Sequence, residues 1–284
     1  MLWSKYIRIS CILLLSLFSS VEALCQRDSA APEKVKLYRM HVKYELPAAV
    51  VALGASSFGF QALDRSSAFD PEDVARLDPA DINRFDRPAA FKDPALFEQS
   101  HKTSDLFLNI SILSPVLLML DKQMRQDWLD LLTLYLVSHT VDNALYFAAA
   151  FPIRRARPLT YNAGLTMEEK TGVAKSNSFF SGHVSFAATS TFFLAKVLTD
   201  YKQIRGWKRI AIFSAAAVPP ALVGHYRMRA GKHFRTDVIT GFLIGAGTGI
   251  VVPQLHKSIR KSQRMSLSPF YGTEQSGFTL SVKL

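Results

Sequence analysis

Residues 181–198 read SGHVSFAATSTFFLAKVL, and the fold class follows from this stretch. Ser181 is a good helix N-cap, and Gly182 lets the backbone come close to a ligand. From residue 184 to residue 198 the run is apolar and helix-like in length, without the alternation of a strand. The first amides of a helix opening here are unpaired and point outward, which makes an anion site. His183 falls in that first turn, where it can give a proton to a leaving oxygen.

Working outward, four more stretches share this character: 106–120, 128–151, 210–223 and the Gly-rich 238–252. None alternates, so the expected fold is all-α, a multi-helix bundle. Most are near or below the roughly 20 residues that cross a bilayer. Asp130, His139 and Asp142 interrupt the second; they could face the interior of a membrane bundle, or the helices could belong to a soluble one. The membrane is the preferred reading, because basic residues recur at alternate connections. Lys122 and Arg125, then Lys202, Arg205, Lys208 and Arg209, then Lys257, Arg260, Lys261 and Arg264 mark one side as cytoplasmic. Trp128 and Trp207 sit at the same ends, as interfacial anchors do. Connections 152–183 and 224–237 then face outward, which places the expected site on the periplasmic face of a bacterial inner membrane.

The 284 residues carry a formal net charge of +11, which points to anionic partners. No zinc-finger spacing, RNP-like motif or basic heptad region is present, so nucleic acid is not the expected partner. At the N-terminus Lys5 and Arg8 precede a short apolar run, and Val21-Glu22-Ala23 offers cleavage-compatible residues, so residues 1–23 read as a secretory signal, with an uncleaved membrane anchor as the alternative. Cleavage there leaves Cys25 alone and rules out an intramolecular disulfide. It also puts residue 24 outside, in which case the uncharged stretch 46–63 cannot be a simple span. Residues 24–104 are expected to form a periplasmic or interfacial segment. Within them, 64–105 is acidic and proline-punctuated, a surface segment of short helices that could border the substrate entrance. Residues 257–284 form a tail, and 277–284 alternate like a β-strand.

Two outward connections carry further chemistry. Between Arg227 and Asp237 the chain reads RMRAGKHFRTD. If a helix begins near His233, then His233 and Asp237 share a face. The carboxylate can then accept one imidazole N–H, leaving the other nitrogen free to attack. Arg227 offers a planar fork for two phosphate oxygens. In the other connection, Pro158 restricts Arg157 to an extended backbone.

Together these segments resemble the three-part signature of the type 2 phosphatidic acid phosphatase (PAP2) family, which shares its site with vanadium haloperoxidases. The family pattern is Lys-x6-Arg-Pro, then Pro-Ser-Gly-His, then Ser-Arg-x5-His-x3-Asp. Arg157-Pro158 matches the end of the first part. Ser181-Gly182-His183 matches the second, with Phe180 in place of proline. Arg227, His233 and Asp237 match the third, with Tyr226 in place of serine. The resemblance covers roughly residues 105–256, the expected phosphatase domain. It implies that His233 attacks phosphorus and forms a phosphohistidine, that Asp237 supports it, and that His183 protonates the leaving group and later activates water. It implies that Arg157, Arg227, Ser181 and the Gly182 backbone hold the phosphoryl oxygens, with no metal or cofactor. Implied substrates are membrane lipid phosphates or pyrophosphates, such as lipid A, undecaprenyl pyrophosphate, phosphatidic acid or phosphatidylglycerol phosphate. The family lysine falls at Ala150, so Arg154, Arg155 or Lys232 is expected to replace it. The alternatives are a non-specific periplasmic acid phosphatase and a weakened phosphate-binding homologue.

Overall fold

In the computed structural model, which describes residues 36–258, 265–271 and 276–282, the apolar stretches are helices. They are α1 (Val42–Ser66), α2 (Phe97–Leu113), α3 (Trp128–Ala150), α4 (Gly182–Tyr201), α5 (Gly206–Arg229) and α6 (Arg235–His256). The bundle is all-α, as expected. The C-terminal alternation falls in an antiparallel hairpin, β1 (Met265–Tyr271) and β2 (Ser276–Val282), with Met265 opposite Val282.

α4 lies at the centre, and α6 packs on it very closely. Gly241, Gly245 and Gly249 recur every four residues along α6, facing the backbone of α4. A Cβ at Gly241 or Gly249 would fall 2.5 Å from the carbonyl oxygen of Ser181 or Thr189, and one at Gly245 would overlap that of Ser185. Small residues at this spacing allow two helix backbones to touch, which accounts for the glycine content of 238–252. The contact also ties the ends of the two helices together, since the Ser181 amide donates to the Asp237 carbonyl at 3.0 Å.

The polar interruptions of α3 face inward. Buried Asp142 accepts from Ser185 Oγ at 2.6 Å and Thr189 Oγ1 at 2.9 Å. His139 Nε2 lies 3.1 Å from Ser190 Oγ, and Asp130 accepts from Lys36 at 2.6 Å. Polar groups in an apolar slab are tolerable when they find such partners.

Two expectations change. First, α2 starts at Phe97 rather than at residue 106, and it continues past Leu113 as a tighter 3-10 turn over Ser114–Leu120 that contains Pro115. Its early turns bury Ser100 and Ser104 instead of apolar residues, so hydrophobic periodicity does not reveal them. Second, α1 runs the height of the bundle. At one end the Arg39 amide donates to the His256 carbonyl at 2.8 Å; at the other, Asp64 accepts from Asn177 at 3.1 Å. Val42–Ser66, Pro94–Leu120 and Arg235–His256 are each long and apolar enough to cross a membrane. Residue 41 therefore lies at the same end as the basic residues at 122–125, 202–205 and 257. A signal cleaved after Ala23 and a cytoplasmic position for those basic residues do not both fit α1 as a span. The signal reading itself falls on residues 1–23, which lie outside the described residues.

The 64–105 segment contains a short helix, Pro71–Ala75, and 3-10 turns at Pro79–Asp81, Arg87–Ala89 and Pro94–Leu96. It is not only a surface segment. Asp86 is fully buried against the start of α6, and residues 36–284 form one compact unit.

Candidate active site

Arg157, Ser181, Gly182, His183, Arg227, His233 and Asp237 all lie at one end of the bundle, where α3, α5 and α2 meet the starts of α4 and α6. Three local features place them. Ser181 occupies the N-cap position of α4, but its side chain caps nothing. The first intrahelical bond runs from the Ser185 amide to the Ser181 carbonyl, at 3.0 Å. The amides of Gly182 and His183 precede that bond, as an anion site requires. Gly182 is packed under Tyr146, whose ring would sit 3.1 Å from an added Cβ. Arg157 is extended, with φ −75° and ψ 151°, as its following proline dictates. Its backbone and that of Arg155 pair with residues 175–178, which brings Arg157 Nε to within 3.0 Å of Asn177 Oδ1. Between α5 and α6 the chain turns at Gly231, whose φ of +64° suits glycine; an added Cβ would also meet the Phe97 ring at 2.8 Å.

His233 is almost wholly buried, and its Nδ1 lies 2.7 Å from the Ser178 carbonyl. A carbonyl oxygen only accepts, so Nδ1 carries the hydrogen and Nε2 keeps its lone pair. Burial, then the charges of Arg227 and Arg157, with His183 adding to them, holds His233 well below the ordinary histidine value, against the opposing pull of the Ser178 carbonyl. The imidazole is therefore neutral near pH 7, with one nitrogen ready to act as a nucleophile.

The expected bond from His233 to Asp237 is not made. The helix begins at Arg235, after His233, so the two residues do not share a helical face. Asp237 folds back on the helix start and accepts the Phe234 amide at 2.8 Å. It also accepts from Ser178 Oγ at 2.6 Å and from Arg155. Asp237 thus supports His233 at one remove, by fixing the residue whose carbonyl holds the imidazole. Arg155 in turn donates to Asp86 at 2.7 Å, and Asp86 accepts from the Thr236 amide at 3.0 Å and from Thr236 Oγ1 at 2.6 Å. Burial works against ionisation of Asp86, but the hydrogen bonds from Thr236, Arg155 and Asn83 outweigh it and hold Asp86 below the usual carboxylate range.

Arg227 is 3% exposed. Its Nη1 donates to His101 Nδ1 at 2.9 Å, and the nearest carboxylate oxygen, on Asp105, is 3.8 Å away. Arg227 Nε and Ser181 Oγ are buried without a hydrogen-bond partner among the described residues. Orphaned buried polar groups are costly, and phosphoryl oxygens are suitable acceptors for both. The Asp105 carboxylate lies 3.4 Å from His183 Nε2. Sequence reasoning missed this partner. An ionisable residue heading an apolar run is the signal that could have marked it.

Ala150 is buried in an apolar cluster with Leu63, Tyr146 and Phe180. Phe180, where the motif has proline, fills that cluster, and Tyr226, where it has serine, stacks on Phe107 at 5.9 Å. Of the three replacement candidates for the lysine, Arg154 turns away to the Ser66 carbonyl and Arg155 is taken up by Asp86 and Asp237. Lys232 lies among the site charges. Burial first, then Arg157, Arg227 and Lys175, pushes its ammonium down to about 7, with Asp105 opposing.

Residues 131–261 match the sequence profile of the PAP2 superfamily. A search of curated proteins finds no match. Among solved structures, a transmembrane PAP2-type phosphatidylglycerolphosphate phosphatase from Bacillus subtilis is 18% identical. The alignment covers 78% of this chain and 98% of that one, with a TM-score of 0.42. LpxE of Aquifex aeolicus is 19% identical, over 57% of this chain and 88% of that one, with a TM-score of 0.39. The matched region includes all seven motif residues, from Arg157 to Asp237.

Proposed function

We propose that this chain is a metal-independent membrane lipid phosphatase that works through a phosphohistidine at His233. The observation that carries the reading is the state of His233: neutral, held through Nδ1 by the Ser178 carbonyl, and set beside Arg227 and Arg157. Nε2 attacks phosphorus, the bond to the leaving oxygen breaks, and that oxygen takes the proton of His183. The Asp105 carboxylate stabilises the protonated form of His183. Water, giving its proton back to His183, then attacks the phosphohistidine and releases inorganic phosphate. Arg157, Arg227, Ser181 Oγ and the Gly182 and His183 amides hold the phosphoryl oxygens as charge shifts between them. Lys232 supplies the cation that Ala150 does not. A lipid substrate is supported by the position of the site at the end of helices long and apolar enough to span a bilayer.

The basic end faces the cytoplasm in this reading, and the site faces the outer side of an inner membrane. The N-terminal apolar stretch then stays attached, because α1 starts at the basic end. His233→Ala should abolish phosphate release from lipid phosphates in detergent micelles, and radiolabelled substrate should trap an acid-labile phosphoprotein in the parent but not in the variant. Unchanged release by the variant rejects the mechanism. Ala150 favours one other reading, a phosphate-binding homologue without turnover; a trapped phosphohistidine excludes it.

A further inference from the structure

At the site end of the bundle is a cavity of about 420 Å³, lined in part by Lys92, Asp93, His225, Arg229 and Arg235. It shares backbone segments with the active site, because Arg229 follows Arg227 by two residues and Arg235 follows His233 by two. Its third wall comes from the 64–105 segment, which is pinned where the Lys92 carbonyl accepts from Asn162 Nδ2 at 2.7 Å. The charges in it are unbalanced. The side chains of Lys92 and Arg229 are exposed and make no ion pair or hydrogen bond among the described residues. Arg235 Cζ lies 5.3 Å from the centre of the Phe85 ring, and its guanidinium makes no ion pair or hydrogen bond among the described residues. The one carboxylate in the lining, Asp93, is used to accept the Ala95 amide at 3.0 Å, capping the turn Pro94–Leu96. Three cations thus line one concavity against a single carboxylate. Cations so placed select a phosphate-type anion, since guanidinium forks match its oxygens two at a time.

We propose that this cavity binds a second phosphate group while the first is held at His233. The proposal rests on the phosphatase reading, and it narrows the preferred substrates to those with two separated anionic groups. A lipid bearing both phosphates, or free inorganic phosphate beside a lipid with one, would supply the same chemistry.

The test uses the full chain in detergent micelles, with Lys92→Ala, Arg229→Ala and Arg235→Ala combined, and Arg229→Gln alone as a milder variant. Turnover is measured on a lipid with two phosphates on its headgroup and on its mono-phosphorylated counterpart. Inhibition by inorganic phosphate is measured with each. If the second group belongs to the lipid, the triple variant raises KM for the doubly phosphorylated lipid by about tenfold or more, with kcat unchanged and the mono-phosphorylated lipid unaffected. If free phosphate is the occupant, the triple variant weakens the effect of inorganic phosphate and treats both lipids alike. Either result supports a phosphate site. The proposal is overturned if neither KM nor the phosphate effect changes, or if both lipids weaken equally with no change in the phosphate effect, which is a general surface-charge effect. An unaltered melting temperature and the smaller shift of Arg229→Gln separate these outcomes from misfolding. Activity surviving in His233→Ala would reject the phosphohistidine mechanism, and absence of phosphate release from either lipid by the parent would reject the phosphatase reading itself, both independently of the cavity.

Discussion

At the end of the bundle away from the site, Tyr38, Lys196 and Lys257 converge on Asp200, Lys36 meets Asp130, Lys202 meets Asp121, and Tyr201 donates to Asp127. At the site end, Arg157 and Arg227, whose charges act on His233, have no carboxylate within hydrogen-bonding distance among the described residues. Arg157 bonds an amide oxygen, and Arg227 bonds a histidine. The carboxylates there are spent on other groups: Asp237 and Asp86 on Arg155, and Asp64 on Asn177. Both ends bury charge, but at the site end only Arg155 is neutralised by hydrogen-bonded carboxylates, while Arg157 and Arg227 are not. Closed pairs hold helices together, and removing one partner leaves a costly unpaired charge. Guanidinium groups without an acid partner keep N–H donors for an anion that comes from outside. The difference separates a structural end from a binding end.

Substitutions at the two ends should therefore fail in different ways. The largest effect is expected from His233→Ala, with phosphate release down by about a thousandfold or more and the melting temperature little changed. Next comes Arg227→Ala, expected to cost about a hundredfold in kcat by removing a donor to the transferring phosphoryl group. Arg227→Lys should recover little of that, because an ammonium cannot span two oxygens.

Asp105→Asn should lower kcat by about tenfold, and the pH profile is the sharper readout. In the proposed mechanism the first step needs protonated His183, so activity should fall as pH rises through the histidine's titration. Without the neighbouring carboxylate that proton is lost earlier, and the alkaline limb should move to lower pH. A profile that falls in amplitude without moving would mean that Asp105 only packs.

Lys232→Met should act mainly on KM. The ammonium titrates near 7 in the free enzyme, so substrate affinity should weaken as pH rises past that value in the parent. In the variant this dependence should vanish. The smallest effect on turnover is expected from Asp200→Asn, which should leave kcat, KM and the pH profile unchanged while costing about 3 kcal/mol of stability. If Asp200→Asn shifted the pH profile instead, the division between the two ends would not hold.

Much of the site is legible in the linear sequence because its parts are local. Ser181-Gly182-His183 at the head of an apolar run already describes a helix start with open amides, and Pro158 fixes the backbone of Arg157. The partners of those residues are not legible. Asp105 reaches His183, Asp86 reaches Arg155 and Ser178 reaches His233 across long stretches of chain. The pairing of His233 with Asp237 was misread for a local reason. Their spacing of four suggests one helical face, yet the helix starts at Arg235, and Asp237 turns back on its first amide.

The sequence by itself determined where the apolar helices lie, which connections carry the chemistry and which side chains form the motif. Capping, periodicity and proline restriction act within about four residues. Tertiary structure decided the rest: that Ser178 holds His233, that Lys232, unlike Arg154 and Arg155, makes no side-chain hydrogen bond among the described residues and lies among the site charges, and that α1 starts at the basic end. Those outcomes depend on contacts such as Arg155 with Asp86 and Arg227 with His101, 69 and 126 residues apart. No local propensity encodes them, because only the packing of α2, α4, α5 and α6 brings the groups within reach of one another.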